Sequence, residues 1–284
     1  MARNNQKRTQ APPKTTKASP KEKETPTVSP LSFVTPTEFV ALPSGGRYYD
    51  TSHPLHNQEE VEINYMTARD EDILTSQTLL KKGVALERFL ENIIVNKNVN
   101  PSQLLTGDRN AILVAARITG YGAEYETQVV CPACTTKAKH TFDLTQGNVY
   151  AGDVSGEYEA TPTSNNTFLV TLPLTKVTAE IRLLTGEDEL FITKRVQDNK
   201  RRKILESNLT TQFEKFIVSL NGDTNQAIIK QFISQMPACD SHHLRSTYRA
   251  LTPNLDLTQN FECDSCGHSQ RMEVPFTTDF FWPN

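Results

Sequence analysis

Two short cysteine pairs are the residues of this chain best suited to binding a metal. They are Cys-Pro-Ala-Cys at residues 131–134 and Cys-Asp-Ser-Cys at residues 263–266. In each pair two thiolates can converge on one ion from a tight turn, and two such turns supply the four sulfurs that close a structural zinc site. A closed site leaves no open coordination position for catalysis. The pattern therefore predicts a structural Zn²⁺ bound by Cys131, Cys134, Cys263 and Cys266.

The residues around each cysteine pair indicate a strand, a metal-binding turn and a second strand. Apolar residues flank both pairs, namely Val129, Val130, Phe142 and Leu144 around the first and Phe261, Met272 and Val274 around the second. Gly267 permits the left-handed backbone that such a turn requires, and Pro132 stiffens the first turn. With four sulfurs available, we interpret His140 and His268 as surface residues or as donors to the ligands. Redox dithiols, disulfides and ordinary buried cysteines are the alternatives.

The composition is typical of a soluble globular protein. The 284 residues can hold one large domain or two modest ones. No stretch approaches the about 20 apolar residues that cross a bilayer, and the first residues lack the apolar region of a signal peptide. We therefore expect no membrane association and a reducing cytosol, where paired cysteines fit metal binding better than disulfides. The remaining cysteine, Cys239, is predicted to be a partly buried thiol.

Residues 1–30 differ from the rest of the chain in charge and composition. They contain seven lysines and arginines, two glutamates and five prolines, although the whole chain has a net charge of −3. Because this segment has almost no large apolar side chain, it cannot bury enough surface to offset its ordering entropy. We therefore predict a disordered, basic, Pro-rich tail, which contacts nucleic acid or an acidic partner, or has no specific ligand.

Apolar periodicity beyond the tail predicts an α+β fold. We expect a mostly helical body, short antiparallel strands, and a zinc-ribbon-like unit of four cysteines formed by two distant hairpins. A strand near Ile63 precedes a helix that begins at Thr67 and ends at Gly83. A later helix begins at Pro101. Strands at 168–172 and 177–183 precede a helix that begins at Thr185 and further helices at 209–220, 228–233 and 244–251, whereas residues 145–166 indicate a loop.

These elements predict the following organisation of the chain. Residues 1–30 form the tail, 31–125 an N-terminal strand and helical region, 126–145 plus 257–276 the zinc-ribbon-like unit, 146–256 an α/β insertion, and 277–284 an aromatic C-terminal tail. A metal that joins the two hairpins closes a long loop and fastens the insertion to a fixed base. We therefore expect zinc to fix the placement of the insertion relative to the N-terminal region.

The sequence offers little that could perform catalysis. We find no pairing of a nucleophile with a base, no paired carboxylates in a cleft and no open metal site. The Pro-Ser-Gly-Gly turn at residues 43–46 lacks the Gly-Lys-Ser/Thr sequence and the helix of a phosphate-binding loop. We therefore predict a protein that is not an enzyme and has no small-molecule substrate.

A zinc-ribbon nucleic-acid-binding protein is the alternative function. Zinc ribbons can bind nucleic acid, and residues 200–203 form the basic run Lys-Arg-Arg-Lys. However, the cysteine hairpins carry acidic residues as well as basic ones, whereas a nucleic-acid surface shows a concentrated positive charge. The charge pattern therefore makes nucleic acid the less favoured partner.

The C-terminal segment concentrates aromatic residues. Phe280, Phe281, Trp282 and Pro283 follow one another. Termini fray unless contacts hold them, and aromatic anchors dominate protein interfaces. We predict that these four residues bind a partner, so that their deletion weakens partner capture more than thermal stability. The alternative is that the segment folds back onto the core of its own chain.

Several segments together resemble a known viral family. They are Leu-Pro-Ser-Gly-Gly-Arg-Tyr-Tyr at 42–49, Met-Thr-Ala-Arg-Asp-Glu-Asp-Ile-Leu-Thr-Ser at 66–76, the two cysteine pairs, and Asp-Phe-Phe-Trp-Pro at 279–283. In this order they resemble the baseplate hub proteins of T4-like contractile-tailed bacteriophages, in the family named after T4 gene product twenty-six. The resemblance covers residues 40–284 and excludes the basic tail.

The resemblance implies a non-enzymatic viral protein that acts in the assembly or structure of the baseplate hub of a contractile tail. Its expected location is the host cytoplasm during assembly, and also the virion baseplate if the protein is a hub subunit rather than an assembly chaperone. Its expected partners are other phage tail or baseplate hub proteins.

Overall fold

The computed structural model describes residues 35–154, 158–202, 208–275 and 280–281. The predicted tail at residues 1–30, together with Trp282 and Pro283, lies outside this range. The described residues belong to one compact unit that begins at Thr35. No helix among them has the length and apolar character that a bilayer span requires.

Residues 35–121 form a two-stranded antiparallel sheet and four α-helices. Their bounds are β1 (Thr37–Ala41), β2 (Glu60–Asn64), α1 (Ala68–Thr75), α2 (Gln77–Lys82), α3 (Ala85–Ile93) and α4 (Thr106–Tyr121), with a short 3-10 helix at Pro101–Gln103. Thr67 and Asp70 form the predicted capping box of α1. The helix predicted from Thr67 to Gly83 is divided in two, because Ser76 adopts an extended conformation between α1 and α2.

The rest of the chain alternates between strands and helices. The elements are β3 (Glu124–Val130), β4 (Lys137–Asp143), β5 (Asn148–Tyr150), β6 (Thr161–Pro162), β7 (Thr167–Thr171), β8 (Thr178–Arg182), α5 (Gly186–Arg201), α6 (Asn208–Phe216), β9 (Ile217–Leu220), α7 (Gln226–Gln235), α8 (Ala238–Leu251), β10 (Asn254–Asp256), β11 (Thr258–Glu262) and β12 (Ser269–Glu273), with a 3-10 helix at Leu144–Gln146. Thr185 caps α5 through the predicted capping box with Asp188.

The strands form small antiparallel sheets. The pairs β1-β2, β3-β4, β5-β10 and β11-β12 are two-stranded, and β6-β7-β8-β9 form one four-stranded sheet. Each strand pair in the described part of the chain is antiparallel. Together with the helices, these sheets confirm the predicted α+β class.

Two local predictions are wrong. The helix predicted across 209–220 ends at Phe216, because Ile217 to Leu220 pair with β8 and form the edge strand β9. A helical period of apolar residues continues through this segment, but pairing with a partner strand overrides local pattern. The loop predicted across 145–166 contains the short strands β5 and β6. Strand β5 pairs with the distant β10, and β6 pairs with β7, which follows it along the chain.

The N-terminal region and the segment after β5 share backbone hydrogen bonds. The amide of Thr106 donates to the carbonyl of Leu184 (3.2 Å), and the amide of Gly186 donates to the carbonyl of Leu104 (2.9 Å). At Gly107 a Cβ atom would lie 1.9 Å from the carbonyl oxygen of Pro253, so only glycine allows α4 to approach β10 this closely. These contacts attach residues 146–256 to the N-terminal region independently of the cysteine hairpins.

The loop at residues 42–49 is fixed to the first turn of α4 by a buried carboxyl group. Asp108, which is fully buried, accepts hydrogen bonds from the amide (2.9 Å) and hydroxyl (2.6 Å) of Ser44 and from the hydroxyl of Tyr49 (2.8 Å). The Tyr49 hydroxyl in turn accepts a bond from the amide of Leu105 (3.0 Å). Burial raises the pKa of Asp108, although the bonds from Ser44 and Tyr49 lower it. The Pro-Ser-Gly-Gly turn therefore has a structural explanation that involves no phosphate.

Gly46→Ala is expected to lower the free energy of unfolding by about 2–5 kcal/mol. Gly46 has a φ of +69°, and a Cβ atom there would lie 2.4 Å from backbone atoms of Leu55 and Gln58. Gly45→Ala is the matched control, because Gly45 has a φ of +56° but its Cβ would meet only the Arg47 side chain, at 3.8 Å. Urea unfolding of both variants measures the difference. Equal losses of stability in the two variants would mean that steric contact between a Cβ atom at position 46 and the neighbouring backbone does not constrain this turn.

Candidate metal centre

The four cysteines predicted as metal ligands meet at one point of the fold. Their Sγ atoms all lie within 4.8 Å of one another. Between the hairpins, Cys131 Sγ is 3.7 Å from Cys266 Sγ, and Cys134 Sγ is 3.7 Å from Cys263 Sγ. A disulfide bond measures about 2.05 Å, so these pairs are not bonded, and all four thiols are free. The cluster could hold a metal ion.

The two cysteine turns have matching backbone geometry. In the first, the amide of Cys131 donates to the carbonyl of Thr136 (2.9 Å), and the amide of Thr135 donates to the carbonyl of Cys131 (2.8 Å). In the second, the amides of Cys263 and Gly267 make the equivalent bonds, at 2.9 and 2.8 Å. Gly267 has the left-handed φ that we expect (+68°), and Thr135 adopts the same conformation (+57°) without being a glycine. Each hairpin therefore presents its two sulfurs in the same way.

Side chains outside the cysteine pairs hold the two hairpins against each other. Gln259 on β11 accepts a bond from the amide of Asp143 (3.1 Å) and donates one to the carbonyl of the same residue (2.7 Å). His140 lies between the rings of Phe142 and Phe261, with centroid distances of 4.6 and 5.3 Å. Sequence reasoning did not find Gln259, because a single glutamine carries no spacing signal.

Burial differs between the four cysteines of the cluster. Cys131 and Cys263 are 0% and 1% exposed, whereas Cys134 is half-buried and Cys266 is exposed. Both the buried and the accessible sulfur of each hairpin therefore contribute to the cluster. His140 and His268 are not members of the cluster. Cys239 is exposed on α8 rather than partly buried as predicted.

Two thiols of the cluster have different pKa values because their hydrogen-bond partners differ. Bonds from the hydroxyl and amide of Thr136 lower the pKa of Cys134 to about 6. The pKa of Cys266 is raised to about 12: a bond from the backbone of His268 lowers it, but the neighbouring thiols, Cys134 first, and desolvation together raise it more. Once one thiol has ionised, its negative charge disfavours ionisation of the next, so a bound cation would stabilise the thiolates together.

The structure places the aromatic C-terminal residues that it describes inside the core. Phe280 and Phe281 are 2% and 5% exposed. The ring of Phe280 packs edge-on against Tyr125 at a centroid distance of 5.2 Å, and the ring of Phe281 packs against Phe89 at 5.4 Å. This arrangement corresponds to the alternative in which the segment folds back onto its own chain. Partner binding by Trp282 and Pro283 stays a prediction, because both residues lie outside the described range.

A buried arginine that sequence reasoning missed holds the C-terminal segment in place. Arg117 on α4 is 2% exposed and donates hydrogen bonds to the carbonyls of Phe280 (2.6 Å), Gly122 (2.8 Å) and Glu124 (3.2 Å). Burial lowers the pKa of its guanidinium, and the nearby Tyr121 and Tyr125 act in the opposite direction. A buried charge is stable only when its donors are satisfied, so Arg117 and the Phe280 carbonyl depend on each other.

The sequence matches a family of bacteriophage base plate proteins. The family model described as T4 bacteriophage base plate protein matches residues 36–282. We found no match among curated proteins and none among solved structures. The matched range runs from the residue before β1 to the aromatic C-terminal segment, and it includes both cysteine hairpins. The chain therefore belongs to the T4 bacteriophage base plate protein family.

Proposed function

We propose that this protein acts in the assembly or structure of the baseplate hub of a contractile phage tail, and that a structural zinc ion holds its distant segments together. The observation that carries the proposal is the family match over residues 36–282. The resemblance of five separate segments to hub proteins supports a position in the hub of the baseplate. Other tail or baseplate hub proteins are the proposed partners.

The spacing of the sulfurs supports zinc as the ion. Zn–S bonds of about 2.3 Å in a tetrahedron place the sulfurs about 3.8 Å apart. Two of the sulfur–sulfur distances between the hairpins are 3.7 Å. Four thiolates form a soft donor set that favours Zn²⁺ over Mg²⁺ or Ca²⁺. When bound, zinc would supply cross-linking rather than chemistry, because four protein ligands fill its tetrahedral shell. The residues that would hold it are Cys131, Cys134, Cys263 and Cys266.

The proposed role is structural rather than enzymatic. The family consists of base plate proteins, and the buried polar groups at Asp108 and Arg117 are fully engaged in holding loops and termini. On the first hairpin, Lys139 is neutralised by Glu126 at 2.7 Å. This pairing argues against a positive nucleic-acid surface on the hairpin. The proposed locations are the host cytoplasm during assembly and the virion tail baseplate.

Co-expression with the neighbouring tail proteins tests this function. We expect native mass spectrometry to find this chain in a stable complex with a tail protein, with one zinc per copy measured on the same sample. Persistence of the chain in purified particles would identify a hub subunit, and its loss on maturation would identify an assembly chaperone. If the protein is instead a zinc-bearing monomer that does not bind tail proteins but binds DNA in a salt-sensitive way, the nucleic-acid-binding alternative would be favoured.

A further inference from the structure

A cleft of about 920 Å³ lies between α8 and the strands at the base of the second cysteine hairpin. One wall is a face of α8 that carries Arg245 and Arg249, which are one helical turn apart. A second wall, formed by the ends of two strands, carries Asp256 on β10 and Glu273 on β12. The cleft therefore has a basic wall and an acidic wall.

Among the residues that the structure describes, the arginines of the basic wall have no acidic partner. In the part of the chain that the structure describes, neither guanidinium lies within 4.0 Å of a carboxylate. Arg245 makes only a long bond, from Nε to the carbonyl of Ser241 (3.4 Å). Both arginines are exposed to solvent. Guanidinium groups bind carboxylates and phosphates through paired, charge-assisted hydrogen bonds, so this wall is suited to an anionic group.

The acidic wall determines which anion fits. A nucleic acid carries a continuous row of phosphates, which Asp256 and Glu273 would repel. The pKa of Asp256 is lowered, first by hydrogen bonds from Thr258 and also by the charge of Arg271, so this carboxylate stays ionised. A polypeptide instead can present isolated carboxylates together with positive side chains. In an extended segment successive side chains point to opposite sides, and neighbouring acidic and basic residues would therefore face the two walls.

Two further residues of the cleft fit a polypeptide ligand. Tyr150 lines the cleft, and its ring is held in place by a hydrogen bond from its hydroxyl to the carbonyl of Ala250 (2.6 Å). Fixed tyrosine rings are typical of protein interfaces. Asn254 also lines the cleft, and its Oδ1 atom is buried without a hydrogen-bond partner among the described residues. A backbone N–H of a bound segment could satisfy it after a small rotation of the amide.

We propose that this cleft binds an extended segment of another baseplate protein in which a glutamate or aspartate adjoins a lysine or arginine. The acidic side chain pairs with Arg245 and Arg249, and the basic side chain pairs with Asp256 and Glu273. This inference rests on the proposed function for the source of the segment. It adds a docking site that lies outside both the cysteine cluster and the aromatic C-terminal segment.

The test uses an array of overlapping synthetic peptides that covers the tail proteins encoded beside this chain. We expect the full-length protein to bind peptides that contain adjacent residues of opposite charge. The double variant Arg245→Ala with Arg249→Ala should bind them at least about tenfold more weakly, because two charge-assisted contacts are lost. The matched control is Lys81→Ala with Lys82→Ala, which removes the same charge from exposed positions on α2 and should change nothing.

A charge swap makes the test independent of folding defects. The variant Arg245→Glu with Arg249→Glu should lose the original peptides and bind versions in which the acidic residue is replaced by lysine. Peptides that bind wild type and Arg245→Ala/Arg249→Ala equally would overturn the proposal, as would retention of a single-stranded DNA probe that depends on both arginines. If no peptide binds while the chain still enters a tail complex, the cleft proposal fails and the proposed function stands. If the chain enters no tail complex, the proposed function fails.

Discussion

The double substitution Cys131→Ser with Cys263→Ser is expected to abolish the proposed zinc binding and to lower the melting temperature by about 10 °C or more. These are the two buried ligands of the cluster, one from each hairpin. A two-stranded hairpin is at best marginally stable on its own, and a structural zinc contributes about 10–16 kcal/mol to folding in zinc-finger peptides. Metal analysis and thermal unfolding, each with and without a chelator, measure both effects.

Cys239→Ser is the control for this experiment, because Cys239 is exposed and lies outside the cluster. It should leave zinc content and melting temperature unchanged. If the double variant folded normally and still captured its partners, the role of zinc in fixing the insertion would be wrong. The backbone bonds between Thr106 and Leu184 and between Gly186 and Leu104 would then suffice to hold the insertion.

Phe280→Ala is expected to lower the free energy of unfolding by about 3–5 kcal/mol, the usual cost of removing a buried phenylalanine ring. The ring of Phe280 contacts both Tyr125 and Phe281, so its loss leaves a cavity between α4, β3 and the C-terminal segment. Phe39→Ala is the matched control, because Phe39 on β1 is 64% exposed and should change stability by less than about 0.5 kcal/mol. Chemical denaturation of the two variants gives the comparison.

The burial of these rings reverses the sequence-based prediction that deleting the C-terminal segment weakens partner capture more than it lowers thermal stability. We now expect a deletion from Phe280 onward to lower thermal stability at least as much as it weakens partner capture. A deletion variant that kept wild-type stability but failed to capture tail proteins would support the sequence-based prediction instead. The double variant Trp282→Ala with Pro283→Ala separates the two roles further, because it leaves both buried rings in place.

The candidate metal site could be predicted almost completely from the sequence, because cysteine pairs carry their own spacing signal. Each pair fixes two ligands within one turn, and the flanking apolar residues indicate the strands that orient it. The cross-hairpin bonds of Gln259 could not be predicted in this way. They depend on which strands become neighbours in space, and a single polar residue does not encode that information.

The starts of α1 and α5 were predictable for a similar reason. The Thr67–Asp70 and Thr185–Asp188 pairs satisfy backbone amides within one turn, so their signal is entirely local. The strand β9 was not predictable, since its conformation depends on pairing with β8. The role of Arg117 was also hidden, because a lone arginine in a helix usually points to solvent. Its burial depends on the carbonyl of Phe280, 163 residues away, as well as on the nearby carbonyls of Gly122 and Glu124.

The contacts that bring the C-terminal segment back to α4 also bear on the kinetics of folding. Arg117 and Phe280 are 163 residues apart, and Cys131 and Cys266 are 135 residues apart. Closing such long loops is entropically costly, and proteins with distant contacts fold more slowly than helical proteins with local ones. Until these loops close, the apolar surfaces around Phe89 and Tyr125 stay accessible to other chains, so molecular chaperones that shield such surfaces should raise the yield of native protein.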